Sequence, residues 1–491
     1  EHVGRKPFNS VKRFDHRRLA YLLISRPFQD TPARPRIGLR CVLNGRFHSN
    51  AANQFSQFYW GVGSIWHSRG PGSRAEFLAF VRYLEGQMKR LNVAVHLGTE
   101  ATLRHVEMEK PDAIMFFTDP RYWTWLFQME NEIRRKMPMV YLNIWDDLPT
   151  PMYNQPYYES CDLLMCISKQ TYGIVQEALD GKNYKDWQIT YVPHGINHNV
   201  FFPIDEKHEK YSELQSFKKQ LFKGKEMDFV LFFNSRNIRR KQIPDTLAAF
   251  RMFLDKMPKE KADKCTIVLH TELMSEHGTD LVAVKEYLFE DCYPNAVVFH
   301  TDIVTPEVMN LLYNSSDAQI LLTSNEGWGL SLTEALLVGN PIIANVTGGM
   351  QDQMRFELNG KWIDFDSDFP SNHTGTVKDH GDWAFPVFPT SRSIQGSIPT
   401  PYIWDDRCTA EDAAIQIEKI YNLDKAERKA LGLKGREWAM SDEAGFTSEK
   451  MSNRIIEAID ELFATWKPRE KYELINANEF KAKTLKHKLV Y

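Results

Sequence analysis

Two glutamates eight positions apart, Glu326 and Glu334, stand on either side of a turn that contains Gly327 and Gly329, in the run SNEGWGLSLTE beginning at Ser324. An apolar, strand-like run precedes the turn and a helical pattern follows it. A strand that ends in a glycine turn and opens a helix leaves backbone amides without intrahelical partners, here around Gly327, Gly329, Leu330 and Ser331. Those amides and the positive end of the helix dipole make a site for an anion. The glycines let a ligand approach the backbone closely. Carboxylates in the turn and inside the helix suit neutral hydroxyl partners, such as ribose or sugar hydroxyls, better than phosphate. The simplest alternative is a strand, turn and helix with solvated glutamates.

The elements that must position this turn follow from periodicity. Short apolar runs at 37–43, 93–97, 113–117, 140–144, 163–167 and 189–192 predict strands, with helices over 75–91, 122–136 and 170–179 between them. The pattern restarts with strands over 229–233, 266–270, 296–299, 318–322 and 341–344 and helices over 243–257, 306–313 and 330–338. Strands alternating with helices imply crossover units and parallel sheets. Two such sets predict an α/β protein of two doubly wound, Rossmann-like domains. The first domain is expected over 1–195, with a basic extension over 1–36, and the second over 196–445. The boundary falls at PHGINHNVFFP, 193–203, which carries Pro at both ends and a Gly. A charged stretch at 205–225 is expected to lead into the second domain as a helix. Residues 350–408 are rich in Gly, Pro, Ser and Asp without clear periodicity, so an insertion is expected there. Helices over 410–423, 425–440 and 447–466 close the chain. The last of these, with a basic tail in 446–491, is expected to pack back on the first domain.

Composition bounds the rest. The 491 residues are 43% apolar and 25% charged, the profile of a globular chain and not of a disordered or fibrous one. No apolar run approaches the ~18 residues of a membrane span, and no signal-peptide pattern opens the chain. Six scattered cysteines, mostly in apolar runs, point to reduced thiols and a cytoplasmic location. Residues 1–40 carry ten Lys/Arg against three Asp/Glu and residues 467–491 seven against three, while the whole chain is −3. An acidic body with basic ends does not coat DNA, although the ends suit peripheral contact with phosphate, headgroups or a subunit. No Cys/His cluster has zinc spacing, and 364–368 lacks the Gly and closing Glu of a calcium loop, so no metal site is expected.

The run from Glu326 to Glu334, followed by Gly339-Asn-Pro-Ile-Ile-Ala and Thr347-Gly-Gly, resembles the E-x7-E signature of family-4 retaining glycosyltransferases. Three further stretches resemble that family in order and spacing: Val192-Pro-His-Gly-Ile-Asn through Pro203, Phe233-Asn-Ser-Arg236 through Lys241, and Val298-Phe-His-Thr through Asp317. The resemblance covers about 190–350; the N-terminal half matches in pattern only. It implies the B-type glycosyltransferase fold, two Rossmann-like domains facing each other across a donor cleft. It also implies a nucleotide-diphosphate sugar as donor, a UDP- or GDP-sugar, with no further cofactor. Position by position, Glu334 would bind the nucleotide ribose, Glu326 would sit by the transferred sugar, and Arg236 and Lys241 would hold the diphosphate. Arg239 or Arg240 are alternatives for that role. Growing charge on a leaving diphosphate can be stabilised by two cations and helix amides without a metal. Two positions depart from the family: Met350-Gln351-Asp352-Gln353 follows the Gly pair where a Glu is common, and Asn234-Ser235 replaces the Gly before the strand-end Arg.

The acceptor side offers Gly70 and Gly72 in a glycine loop before a helix, Asp146 and Asp147 at a strand end, where ligands of α/β sheets collect, and His194 at the hinge. The expected function is metal-independent, retaining transfer of a sugar to an acceptor hydroxyl. The acceptor is a glycan, a lipid-linked sugar or, as an alternative, a hydroxymethylated DNA base of a virus or phage. A non-catalytic nucleotide-sugar or glycan binding module is the second alternative.

Overall fold

The computed structural model describes residues 111–470 apart from 118, together with the backbone of three strands further upstream. Gly70, Gly72, the expected helix over 75–91, the basic segment ahead of residue 18 and the tail beyond 470 lie outside the described residues.

The first sheet has seven strands: β1 (Arg18–Ile24), β2 (Arg40–Arg46), β3 (Ala94–Leu97), β4 (Ala113–Phe117), β5 (Met139–Asn143), β6 (Leu163–Cys166) and β7 (Ile189–Tyr191). Their spatial order is β3-β2-β1-β4-β5-β6-β7. β1 and β4 to β7 run parallel, while β2 pairs antiparallel with β1 and β3. This corrects two expectations. The sheet is not wholly parallel, and the supposed basic extension over 1–36 contains β1, an inner strand of the first sheet between β2 and β4. Its apolar stretch was obscured by Arg17 and Arg18 beside it. β4, β5 and β6 are buried along their whole length, as strands covered on both faces must be.

The second sheet is β8 (Phe229–Asn234), β9 (Cys265–His270), β10 (Val297–His300), β11 (Ala318–Leu321) and β12 (Ile342–Asn345). Beyond the short pair β13 (Glu357–Leu358) and β14 (Lys361–Trp362), it is completed by β15 (Ala384–Val387). All six run parallel in the order β10-β9-β8-β11-β12-β15. With β8 as the first of the set this is the 3-2-1-4-5-6 arrangement, and its switch point lies between β8 and β11. The stretch 350–408 is therefore not all insertion, because β15 is the sixth strand of the sheet. The residues outside the sheet include a hairpin, β16 (Ser391–Ser397) and β17 (Thr400–Arg407). Trp362 and Trp383 pack on Trp438, with Trp383 stacked at 5.0 Å, so they belong to the core and not to a ligand site.

Helix boundaries follow local chemistry. The helix Leu330–Val338 occupies the expected residues and ends at Gly339 in the left-handed region, a standard stop. The helix Lys425–Met440 opens with a capping box of Asp424 and Glu427. The single helix expected over 122–136 is instead a 3₁₀ turn and two short helices, Thr124–Phe127 and Glu130–Ile133. The expected helix over 205–225 shrinks to Tyr211–Leu221. The closing helix Ser448–Thr465 touches the end of the first domain, where Gly195 N donates to Met451 Sδ at 3.2 Å and the Arg454 guanidinium lies 5.9 Å from the Tyr191 ring.

The departures at 350–353 prove to hold the two domains together. Asp352 accepts at Oδ2 from the Lys169 backbone amide and from the Tyr191 hydroxyl, both at 2.9 Å. Burial pushes its carboxyl up to about 7 against the opposing pull of Lys169. A carboxyl whose folded pKa lies above its unfolded value of ~3.9 contributes stability that is fully present at lower pH and lost as pH rises through the folded value. The expected result is a melting temperature that declines between about pH 4 and 7, and a flatter profile in Asp352→Asn, which keeps an acceptor oxygen. Thermal unfolding across that range checks it; an unchanged slope in the variant would assign the titration to another group.

Candidate active site

The crevice at the switch point is formed by two loops. One follows β8 and runs through Arg236 into a 3₁₀ turn, Arg239–Lys241, with Gln242 left-handed at φ 51° before the helix Ile243–Asp255. The other follows β11 and carries the glycine turn. They are tied together where Ser324 N and Thr323 Oγ1 donate to Arg240 O at 2.8 and 3.0 Å.

Glu326 is the meeting point. Its carboxylate pairs with Lys241 Nζ and, at 3.3 Å, with Arg240 Nη1, and the same guanidinium bonds Asn325 O. Burial pushes the Glu326 carboxyl up, but Lys241 and Arg240 outweigh it, and the net direction is down. For Lys241, burial dominates over the pull of Glu326 and lowers the ammonium to about 8. Arg240 stays firmly charged: burial opposes its cation, while Glu326, Asp146 and Asp147 favour it. Arg236 lies half-buried at the strand end of the same loop. The guanidinium beside Glu326 is thus that of Arg240, one of the two alternatives its neighbourhood suggested.

The turn itself is built by close backbone contact. Gly329 has φ 89° and caps the helix Leu330–Val338 without any side-chain bond to the first-turn amides, including those of Leu330 and Ser331. A Cβ on Gly327 would stand 2.8 Å from Ile144 O in the first domain, so the two domains touch at the turn. Gly349 N donates to Glu326 O at 3.0 Å. Behind the turn, Gln353 Nε2 donates to Trp328 O at 2.6 Å, Thr333 Oγ1 donates to Gln353 Oε1 at 2.8 Å, and Trp328 Nε1 donates to Thr333 Oγ1 at 2.9 Å. Gly348 has φ 53°, and a Cβ there would lie 2.0 Å from Glu326 O. Gly348→Ala is therefore expected to cost at least ~2 kcal/mol, since the left-handed backbone alone costs ~1–2 kcal/mol for a residue with a Cβ. A denaturation series would measure the loss; a variant as stable as the parent would mean the Glu326 turn moves freely.

Glu334 is 1% exposed. It accepts from the Tyr313 hydroxyl at 2.6 Å and from the Asn234 amide at 3.5 Å. Asn234, noted in the sequence only as a replaced glycine, thus serves the second glutamate. Tyr313 sits in the helix Pro306–Asn314, and nothing in its spacing marked it as a partner of Glu334.

On the first-domain side, Asp146 lies 4.0 Å from Arg240, and Asp146 and Asp147 are hydrogen-bonded neighbours. Burial raises both carboxyls, and the neighbouring Asp146 raises Asp147 further. His194 is 4% exposed and lies edge-on between Phe117 of the first domain and Trp328 of the glycine turn. Burial lowers it to about 4 against the pull of Glu326, so it is a neutral imidazole beside the charged cluster. Among the described residues, then, Glu326, Gly327, Gly329, Lys241, Asp146, Asp147 and His194 reach one interdomain region, and Glu334 lies within the second domain on Tyr313 and Asn234. Among the described residues, no group of three or more His, Cys, Asp and Glu has the arrangement of a metal site.

Residues 215–368 match the family model described as glycosyl transferases, group 1. That stretch is similar to the group 1 glycosyl transferases. It contains β8 to β12, both loops of the crevice and both glutamates. Over 167 residues the chain is 23% identical to an uncharacterized glycosyltransferase, MJ1607, of Methanocaldococcus jannaschii, a match that covers 32% of this chain. It spans about two fifths, 41%, of that relative's length. Among solved structures, Anabaena Alr3699/HepE in complex with UDP-glucose superposes with a TM-score of 0.52 at 16% identity, covering 73% of this chain and 82% of that one. The α,α-trehalose 6-phosphate synthase of Burkholderia multivorans gives 0.51 at 10% identity, covering 84% of each chain. At such identities the likeness speaks to the fold: the matched stretch lies in one half of a two-Rossmann, B-type arrangement. No helix among the described residues is long and apolar enough to cross a membrane.

Proposed function

We propose that this chain is a retaining, metal-independent glycosyltransferase that moves a sugar from a nucleotide-diphosphate sugar to an acceptor hydroxyl. The observation that carries the reading is the convergence of Lys241, Arg240, the uncapped turn amides and Glu334 on one crevice at the switch point, with Glu326 at its centre. Glu334 grips the ribose hydroxyls. Lys241, Arg240 and the amides of the turn receive the diphosphate, with Arg236 at the entry of the same loop. Glu326 stands beside the transferred sugar.

The reaction breaks the bond between the anomeric carbon and the diphosphate oxygen and forms one to the acceptor oxygen on the same face. The electron pair leaves with the diphosphate, and the acceptor proton passes to a diphosphate oxygen. Charge therefore grows beside the two cations that Glu326 holds and beside the turn amides, and fixed charges in a water-poor site stabilise that growth best. The two cations meet the charge requirement that a divalent ion meets elsewhere, so turnover is expected to survive EDTA.

UDP is the first donor nucleotide to try, because the HepE neighbour is bound to UDP-glucose; GDP and ADP are the others. A nucleotide at ~100 times its dissociation constant stabilises the folded chain by ~2.7 kcal/mol, which a thermal-shift screen detects. With the donor chosen, release of nucleotide diphosphate without acceptor is expected and should vanish in Glu326→Ala. NMR of the product should report the donor's anomeric configuration. A thermal shift with no donor cleavage at all would favour a binding module. No shift with any nucleotide would end the reading.

A further inference from the structure

Between the domains lies a cavity of about 510 Å³, next to Arg240 and Asn325 at one end and open to solvent at the other. That size lies in the lower part of the ~300–1,000 Å³ range of ligand clefts. Five carboxylates line it, those of Asp119, Asp146, Asp147, Glu276 and Asp405, against three guanidiniums. Two of the guanidiniums are committed. Arg121 is held by Asp119, with Nε 2.8 Å from Oδ1, and lies 5.2 Å over the Trp145 ring. Arg240 is held by Glu326 and, on the transferase reading, serves the donor diphosphate. Among the described lining residues that leaves Arg239, so an anionic ligand here would bring its charge beside an acidic majority.

The hairpin of β16 and β17 forms the outer wall and ties both domains across the cavity. On the first-domain side, Trp404 N donates to Leu148 O at 2.6 Å, Tyr153 Oη to Tyr402 O at 2.9 Å, and Arg121 Nη1 to Pro399 O at 2.7 Å. On the second-domain side, Asp406 N donates to Ser324 O at 3.0 Å, and Asn325 Nδ2 to Asp405 Oδ1 at 2.9 Å. The wall supplies Asp405 and Ile403 to the cavity, opposite Ile144 and Trp145. Apolar edges facing carboxylates fit a ligand with C–H faces and many hydroxyls. The hydrogen-bonded pair Asp146 and Asp147 offers carboxyl oxygens as acceptors to a ligand hydroxyl.

Resting on the transferase reading above, we propose that the acceptor is a neutral polyhydroxylated molecule of about one or two sugar rings. It binds whole in this cavity, presents a hydroxyl at Asp146 and Asp147, and is walled in by the 391–407 hairpin. Phosphorylated sugars and duplex DNA are excluded by the acidic lining and by the hairpin.

The test has a donor-free arm and a turnover arm, both on the full chain at pH 7. Saturation-transfer NMR with glucose, mannose, maltose and sucrose, against glucose 6-phosphate and a duplex containing hydroxymethylcytosine, reads binding. At least one neutral sugar is expected to bind ten times more tightly than glucose 6-phosphate, and the duplex not at all. Asp405→Arg, and separately Thr400→Lys on the same wall, should shift the ratio at least tenfold toward glucose 6-phosphate. The bound neutral sugar should also raise nucleotide diphosphate release from the chosen donor. Tighter binding of the phosphate or the duplex, no binding by any neutral sugar, or a ratio unmoved in both variants overturns the proposal. If no donor is cleaved while the binding ratios hold, the transferase reading fails and the polyol site stands.

Discussion

Lys241→Ala is expected to slow cleavage of the donor about 10²- to 10³-fold, the cost of removing one fixed electrostatic partner of a developing anion. Lys241 is buried to 7% exposure in the 3₁₀ turn after β8, where Ile238 O holds its backbone amide at 3.0 Å. Its ammonium needs no reorganisation when charge arrives, which is why the loss should fall on kcat and not only on KM. Lys241→Arg is not expected to rescue, because a planar fork does not fit a buried site shaped for a point charge. A pH profile gives an independent check. Burial brings the ammonium to about 8, so in the free protein the cation is lost above that pH. kcat/KM, which reports groups of the free enzyme, should decline about tenfold per pH unit above about 8. That limb should be missing in Lys241→Ala. Steady-state kinetics from pH 6 to 10 decide the matter: a variant with near-parental kcat removes Lys241 from the mechanism.

Glu334 should separate binding from stability. In Glu334→Ala the Tyr313 hydroxyl loses its acceptor in a buried place, and such an orphaned group costs ~1–3 kcal/mol, while the Asn234 amide keeps its 3.1 Å bond to Tyr313 Oη. The alanine variant is therefore expected to be less stable as well as poor at binding donor. Glu334→Gln keeps an oxygen for Tyr313 and should fold nearly as well as the parent. It exchanges charge-assisted bonds to the ribose hydroxyls for neutral ones, roughly half as strong, so donor affinity should drop about tenfold with kcat little changed. Calorimetric unfolding and donor titration of the two variants measure the two effects apart. Equal donor affinity in Glu334→Gln and the parent would place the ribose elsewhere.

Much of this molecule was legible in its order of residues, and the physical reason differs from element to element. β4, β8 and the helix Leu330–Val338 are local matters: a fully apolar run bounded by breakers, or a helix opened and closed by Gly329 and Gly339, needs no partner to be recognised. The turn from Glu326 to Gly329 was equally plain, because a strand, a glycine turn and a helix form one continuous segment. β1 and β15 escaped detection because each lies in a stretch whose overall character, basic in one case and rich in Gly and Pro in the other, hid it.

Chemistry arising from contacts across long sequence separation could be settled only by folding. That Arg240 accompanies Lys241 at Glu326, that Asn234 and Tyr313 hold Glu334, and that Asp352 joins two domains depends on distances between residues about 20 to 180 positions apart. The types and spacing of residues determined two α/β domains and a glycine turn that suits an anion and hydroxyls. The tertiary structure decided which charges face that turn and what walls the cavity beside it. Electrostatic strength falls with distance and rises with burial, and neither quantity is written in one dimension.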